Sequence, residues 1–406
     1  MFYSLEEIVR KASRNSPFYK ELYKNINPDD FRLEDLPIID QSNFWEANHF
    51  NNNSLLTEDI VDGVVFKSGG TTGNPKFSVY SKDEWQTFTK LFGEGMDKKC
   101  LEKGDRVGNL FYSGDLYASF LFINKSIENS QTPVLQFPMT GGMKLEEIIK
   151  TVEEYSINVL AGVPTTFTCM AELLLNKGKT LNLEKVLYGG EALYPEQREI
   201  LKKVFPNAQL LSIGYASVDG GHLGYIDKDC GPGEHKVFDG SIMEIINDSG
   251  EVITNEGEVG KLVYTNLART LMPIIRYPVG DLAKWVGNNK FLLLGRSDEG
   301  ARIGPVTVNR DDLVEVFRNL KVFSEISNFQ MIITRENARD TLEVKYTASK
   351  ELSNLQEGFY KERKMYLEAV QDNHINHIKF TCVHEDELEH NERTGKLKLV
   401  IDRRHQ

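Results

Sequence analysis

The chain has 406 residues, 40% of them hydrophobic, a length that predicts two or three domains at about 150 residues each. A formal net charge of −12 argues against nucleic acid or an anionic membrane as partner. Four widely spaced cysteines without a Cys-x-x-Cys pair, Glu6 and Glu7 where a signal peptide would be basic, and no apolar run near the roughly 18–20 residues of a membrane helix predict a cytoplasmic protein.

Leu5, Ile8, Val9 and Ala12 recur at helical spacing, and residues 5–24 read as helix interrupted at Asn15-Ser16-Pro17. Val64-Val65-Phe66 reads as a strand that enters the run Lys67-Ser68-Gly69-Gly70-Thr71-Thr72-Gly73-Asn74-Pro75-Lys76. Glycines let a backbone turn tightly and bring several N–H groups to an anion, hydroxyls add hydrogen bonds and Lys76 adds charge. Alone, the run also fits a polar surface turn. It is not the usual P-loop, because Asn74 and Pro75 separate Gly73 from Lys76 and Pro75 biases Asn74 away from helix. The loop is therefore expected to lead into a second extended segment, Phe77 to Tyr80.

Downstream, the pattern alternates: helix from Asp83 to Met96, strand from Asp105 to Tyr112, an apolar run from Leu116 to Ile123, strand from Thr132 to Phe137, helix from Leu145 to Tyr155, strand from Val159 to Pro164 and helix from Phe167 to Leu175. Leu187-Tyr188-Gly189-Gly190-Glu191-Ala192, a helix from Pro195 to Phe205 and Leu210 to Tyr215 continue it. This alternation predicts a layered α/β domain with parallel-type sheets. From Val237 to Tyr264 the period approaches two, a β-rich antiparallel portion. From residue 299 a small α+β unit follows, with helices at Asp311–Leu320 and near 352–370 and strands at Phe329–Thr334, Leu342–Thr347 and His377–Val383. The expected division is 1–297 and 299–406.

In sequence order, the glycine run resembles the phosphate loop of the adenylate-forming enzymes, the superfamily of acyl- and aryl-CoA ligases, and its Ser-Gly-Gly-Thr-Thr-Gly-x-Pro-Lys form is similar to that of the phenylacetate-CoA ligase branch. That resemblance implies that Ser68, Gly69, Gly70, Thr71, Thr72, Gly73 and Lys76 grip the ATP phosphates. Gly189, Gly190 and Glu191 match a glycine pair and glutamate that pass along the adenine. Tyr215-Ala216-Ser217-Val218-Asp219 matches the Tyr-Gly-x-Thr/Ser-Glu motif, in which the tyrosine lies near the adenine and the carboxylate holds Mg2+. Ala216, Val218 and Asp219 depart from it, with Ser217 positioned to supply the missing hydroxyl. Asp281, in Arg276-Tyr277-Pro278-Val279-Gly280-Asp281, would accept from the ribose hydroxyls, and Val279 again replaces a hydroxyl. Gly295-Arg296-Ser297-Asp298 matches the inter-domain junction, with Arg296 on ribose or phosphate and Asp298 as hinge. Asn391-Glu392-Arg393-Thr394-Gly395-Lys396 resembles the mobile segment whose lysine swings in for adenylation; a solvated lysine is the plain alternative.

The resemblance implies a carboxylic acid bound near Tyr112, Tyr117 and Gly162; the aromatic residues Phe111, Tyr112 and Tyr117 favour an aryl or other planar acid, and such aromatics are as often core. It implies ATP and Mg2+ as cofactors and coenzyme A as the acceptor. The stretch Arg302 to Val308 matches the pantetheine path but carries Pro305 where a glycine is usual, so a protein thiol or an amine stays open, as does a homodimer. An acyl-protein synthetase or amide-forming adenylase is the alternative enzyme, and a nucleotide-binding regulator without catalysis the alternative class. His222, Cys230 and His235 cluster in sequence with ligand types suited to Zn2+; local turn hydrogen bonding or acyl-pocket lining competes with that reading.

Overall fold

The computed structural model describes residues 2–404 except 61, 68–76, 192, 194, 288, 297–299, 304–305, 337–338, 372–374 and 393–394, and of Glu196, Arg296, Arg302, Thr307 and Asp311 it describes the backbone alone. The glycine run from Ser68 to Lys76, Ala192, the hinge residue Asp298 and the pair Gly304-Pro305 therefore lie outside the described residues.

Five strands form a parallel sheet in the order Leu135–Pro138, Arg106–Asn109, Val159–Gly162, Lys185–Tyr188, Gln209–Ser212. Val159–Gly162 and Lys185–Tyr188 are buried at every position, as expected for strands covered on both faces. Side chains alternate between two cores: Val159, Ala161 and Leu187 join an aromatic core with Phe88, Phe92, Phe111 and Phe122, while Leu160 and Val186 join Phe167, Met170 and Leu201. The helices Lys82–Asp97 and Ser119–Glu128 serve the first core, and Leu145–Glu154, Pro164–Asn176 and Pro195–Val204 the second. The apolar run at Leu116–Ile123 is a loop that becomes helix at Ser119. At the amino-terminal edge, Lys185 and Asp105 form a buried ion pair of 2.9 Å.

The β-rich portion is a seven-stranded antiparallel sheet running from Tyr215–Ser217 to Lys290–Arg296 in sequence. One of its central members is Tyr277–Trp285. Pro278 is tolerated there because it faces a register shift between Lys261 and Val263, where a ladder hydrogen bond is already missing.

The amino-terminal helices Leu5–Asn15 and Pro17–Leu22 are capped by Ser4 and Ser16. They support this sheet. Tyr19 donates to the Pro273 carbonyl at 2.7 Å, and the Ile39 N–H donates to the Arg276 carbonyl at 3.0 Å. Arg276 is ion-paired with Glu244 at 2.9 Å, both buried, and also donates to the Leu36 carbonyl. The segment before residue 40 thus packs into the core of this sheet.

A separate hydrophobic core draws only on residues after 300, from Ala301 to Ile378. It lies under a mixed four-stranded sheet whose longest members are Ile326–Glu336 and Arg339–Ala348. The single charged helix expected near 352–370 is two helices, Leu355–Glu362 and Lys364–Gln371, because Arg363 leaves helical geometry and its guanidinium pairs with Asp312 at 2.9 Å. Among the described residues no helix is long and apolar enough to cross a membrane.

Candidate active site

Strand order in the parallel sheet reverses direction between Arg106–Asn109 and its neighbour Val159–Gly162. Open α/β sheets bind ligands outside the carboxyl ends of their strands at such a switch point. Four strands deliver the expected site segments there: Phe111 and Tyr112 follow the first, Thr165 the second, Gly189-Gly190-Glu191 the third and Tyr215 the fourth.

Gly189 and Gly190 are both required by close approach. A Cβ on Gly189 would lie 2.6 Å from Ile213, and Gly190 has φ +79° with Lys396 Cε 3.2 Å from where its Cβ would be. Lys396 is thus drawn in over the glycine pair. Glu191 holds it there: its carboxylate accepts from the Thr165 N–H at 3.0 Å, from the Thr165 hydroxyl at 2.8 Å and from the Leu397 N–H at 3.0 Å. Burial raises the Glu191 pKa while Lys396 pulls it down. Its contacts make Glu191 a latch between the helix start at Thr165 and the lysine hairpin.

Tyr112 serves the same hairpin. Gly395 has φ +67°, and a Cβ there would fall 2.0 Å from the Tyr112 ring; a Cβ on Gly141 would fall 2.5 Å from the same ring. Two glycines thus approach the ring closely. Gly162 packs against Leu110 and Phe167, and Tyr117 is buried, its N–H closing on the Gly114 carbonyl at 2.8 Å. That closure sets Asp115 and Leu116 at φ 43° and 59°, a left-handed conformation unusual without glycine. The same loop receives the stem of the glycine run: Lys67 ion-pairs with Asp115 at 2.8 Å and its N–H donates to the Leu116 carbonyl at 2.9 Å.

On the antiparallel sheet, the Tyr215 hydroxyl donates to the Asp281 carboxylate, and Asp281 pairs in backbone register with Arg296. Ala216 pairs with His222 in register. Ser217 accepts from the Gly220 N–H at 2.8 Å and so closes the turn that presents Asp219. Asp219 is half-buried and accepts from the Tyr277 hydroxyl at 3.3 Å. Its oxygen donors are of the type that Mg2+ takes. Val279 is a buried core residue, and Val218 packs partly buried against the aromatic core, so the lost hydroxyls are replaced by packing.

Arg269 escaped sequence reasoning. It is 1% exposed, lies 4.1 Å over the Tyr80 ring, and donates to the carbonyls of Val79 and Asp219. Tyr80 itself donates to the Val218 carbonyl at 2.8 Å. Together they tie the strand leaving the glycine run to the Asp219 turn. A lone arginine between two strands carries no sequence signal for this.

The expected zinc set is not assembled. The register Gly224↔Val237 and Tyr225↔Lys236 sets His222 and His235 about four residues apart along the strand pair, on the order of 13 Å. His235 is engaged by the Ser212 hydroxyl at 3.0 Å and the Gly233 carbonyl at 3.1 Å, and the Cys230 sulfur accepts from the Asp227 N–H at 3.4 Å. His222 lies edge-on to Phe238 at 5.5 Å. Burial lowers the pKa of His222 to about 3 and that of His235 to about 4.

A family model for the AMP-binding enzyme matches residues 63–268, the span from the strand before the glycine run through the Asp219 turn and its strand partners. The chain belongs to the AMP-binding enzyme family. Among the curated members to which this AMP-binding enzyme is similar are the phenylacetate-coenzyme A ligase of Thermus thermophilus, 25% identical over 98% of this chain and 95% of that protein, and the indoleacetate–lysine synthetase of Pseudomonas savastanoi, 26% identical over 68% of this chain and 67% of that protein. Among solved structures, 2-hydroxyisobutyryl-CoA ligase in the postadenylation state with 2-HIB-AMP matches with a TM-score of 0.73 at 18% identity, covering 98% of this chain and 88% of that one. The same ligase with 2-HIB-AMP and CoA in the thioesterification state matches with a TM-score of 0.62, covering 99% and 88%.

Proposed function

We propose that this chain activates a carboxylic acid, of the aryl class, as its acyl-adenylate and passes the acyl group to coenzyme A. The observation that carries the reading is Lys396, drawn over the Gly189–Gly190 turn by the hydrogen bond from the Leu397 N–H to Glu191, at the carboxyl edge of the parallel sheet. In the first step an oxygen of the acid attacks the α-phosphorus of ATP and pyrophosphate leaves. The Lys396 ammonium stabilises the charge on the α-phosphate and carboxylate oxygens, Asp281 takes the ribose hydroxyls with Tyr215 fixing its orientation, and the run Ser68 to Lys76 grips the outgoing phosphates. Asp219 would hold Mg2+, which supplies charge neutralisation to the phosphates when bound. In the second step the thiol of coenzyme A attacks the acyl carbonyl carbon and AMP leaves.

The separate core after residue 300 supports a second unit turning about Asp298 between the steps. The higher TM-score against the postadenylation structure than against the thioesterification one supports reading the present arrangement as one that precedes thioester formation. The aromatic core beside Ala216 and Val218, with Phe111, Phe122 and Phe238, supports an aryl substrate. Free cysteines at all four positions fit a reducing, cytoplasmic setting.

The test is acid-dependent ATP–pyrophosphate exchange across a carboxylate panel, followed by product analysis with coenzyme A. Exchange with an aryl acid and a CoA thioester is the expected result; ATP binding without exchange for any acid would instead make the chain a nucleotide-binding regulator. The likeness to an indoleacetate–lysine synthetase supports a second reading, transfer to an amine. Exchange that yields an amide but no thioester would select it.

A further inference from the structure

The lysine hairpin is fastened to the parallel-sheet unit at a second place. Cys169 lies on the helix Pro164–Asn176, Glu385 opens the short turn Glu385–Glu387, and His390 begins the hairpin, bridged to Leu397. The Cys169 sulfur is 3.8 Å from Glu385 Oε1, and His390 Nε2 is 3.9 Å from that same oxygen. The three donor atoms all lie within 4.8 Å of one another, the one such convergence of His, Cys and carboxylate groups found among the described residues. None of the three belongs to the set His222, Cys230 and His235.

Two polar atoms in this cluster are unsatisfied. Glu385 is 8% exposed; its Oε1 accepts from the Asn328 side chain at 2.7 Å, but its Oε2 is buried without a hydrogen-bond partner. His390 Nε2 is likewise buried without one. Each has given up the hydrogen bonds it made in water, and folded proteins rarely leave two such atoms side by side. Asn328 is itself held by Gln197 at 2.8 Å and Thr168 at 3.0 Å, so the carboxylate is positioned from both sides of the contact. Among the described residues no lysine or arginine pairs with it. Burial, with Glu172 on the next turn of the helix adding to it, raises the Glu385 carboxyl to about 7, and burial raises the Cys169 thiol.

The donor set selects among ligands. A sulfur, an imidazole nitrogen and a carboxylate oxygen suit a borderline divalent cation such as Zn2+; a hard ion such as Mg2+ takes oxygen donors. A thiolate and a carboxylate together balance a charge of two, which a buried site requires. Tetrahedral zinc with these donors separates them by about 3.4–3.6 Å, so each needs to move by about 1 Å or less. His390 has a quarter of its side chain exposed, so the cluster lies close to the surface.

We propose that Cys169, Glu385 and His390 form a three-ligand site for a zinc-class divalent cation that pins the Lys396 hairpin to the helix Pro164–Asn176. On binding, the thiol and carboxyl protons leave to solvent and bonds from the metal to sulfur, oxygen and nitrogen form in their place, with no change of oxidation state. The site does not depend on which acid or acceptor the enzyme uses.

The test uses the full chain, stripped with a chelator and titrated with Co2+ and then Zn2+. One equivalent of Co2+ should produce a sulfur-to-metal charge-transfer band, and Zn2+ should displace it. Cys169→Ser should abolish the band, His390→Gln should weaken binding tenfold or more, and Cys382→Ser should leave the band unchanged. Hydrogen exchange should slow across residues 385–397 when Zn2+ is added to the parent chain and not to Cys169→Ser. A titration without a thiolate band, a band that survives Cys169→Ser, or protection that leaves residues 385–397 untouched would overturn the proposal. None of these readouts depends on ligase activity, so failure of the site and failure of the proposed function are distinguishable.

Discussion

Replacing Gly395 by alanine should separate the two half-reactions. The added Cβ falls 2.0 Å from the Tyr112 ring, inside any real contact distance, and the ring is already crowded by Gly141. Relieving such an overlap costs about 1–3 kcal/mol. The residue's φ of +67° adds about 1–2 kcal/mol of strain, but that strain belongs to the hairpin wherever it sits and largely cancels between docked and undocked positions. The overlap alone therefore acts on docking and should lower acid-dependent ATP–pyrophosphate exchange by about 5- to 160-fold. Thioester formation from supplied acyl-adenylate, which does not need the docked hairpin, should change little. In a Tyr112→Ala background the added methyl has room, so Gly395→Ala should cost far less exchange than it does alone. Equal loss of both half-reactions, or the same loss in both backgrounds, would refute the reasoning.

Lys396→Ala should reduce exchange by about 100- to 1000-fold while sparing the supplied-adenylate reaction, since only the first step uses its charge; parallel loss in both assays would count against a two-step role. Lys185→Met strands the Asp105 carboxylate in the core and should cost about 3–5 kcal/mol in urea unfolding, most of it recovered by adding Asp105→Leu; a neutral single variant would show that the pair is not buried in solution. His222 and His235 have folded pKa values of about 3 and about 4, below the unfolded value of 6.5. The unfolded chain thus takes up protons first, so stability is full above about pH 6.5 and falls as pH drops toward 4, by about 1.4 kcal/mol per unit per histidine. His222→Phe removes a ring whose nitrogens have no hydrogen-bond partner, and should flatten that slope without loss at pH 7; an unchanged slope in the urea midpoints would speak against it.

How much of this was legible follows from how local each feature is. The parallel sheet and the placement of Gly189, Gly190 and Tyr215 at strand ends came from short motifs and period alone. The latch did not, because Glu191 meets Thr165 and Leu397 across 26 and 206 residues of chain. Of the readings open for His222, Cys230 and His235, zinc falls on strand register, because closeness in sequence became separation along an antiparallel pair, and local hydrogen bonding takes its place. Conversely, Cys169 and Glu385 stand 216 residues apart and meet only through the packing of two units. Arg269 was invisible because its work is done through backbone carbonyls, which have no sequence.

The buried pair of Arg276 with Glu244 has a consequence for how the chain is made. Its guanidinium also holds the Leu36 carbonyl, 240 residues upstream, and Tyr19 closes on Pro273 across 254. Contacts of such sequence separation form late, after the loop-closure entropy has been met. During synthesis the core that takes up Ile8, Val9 and Ala12 therefore stays incomplete until the strand Tyr277–Trp285 has emerged, although Tyr19, Leu36 and Phe44 of the same core come early. A chain halted before that strand would carry a half-built core, the kind of exposed apolar surface through which incomplete chains associate.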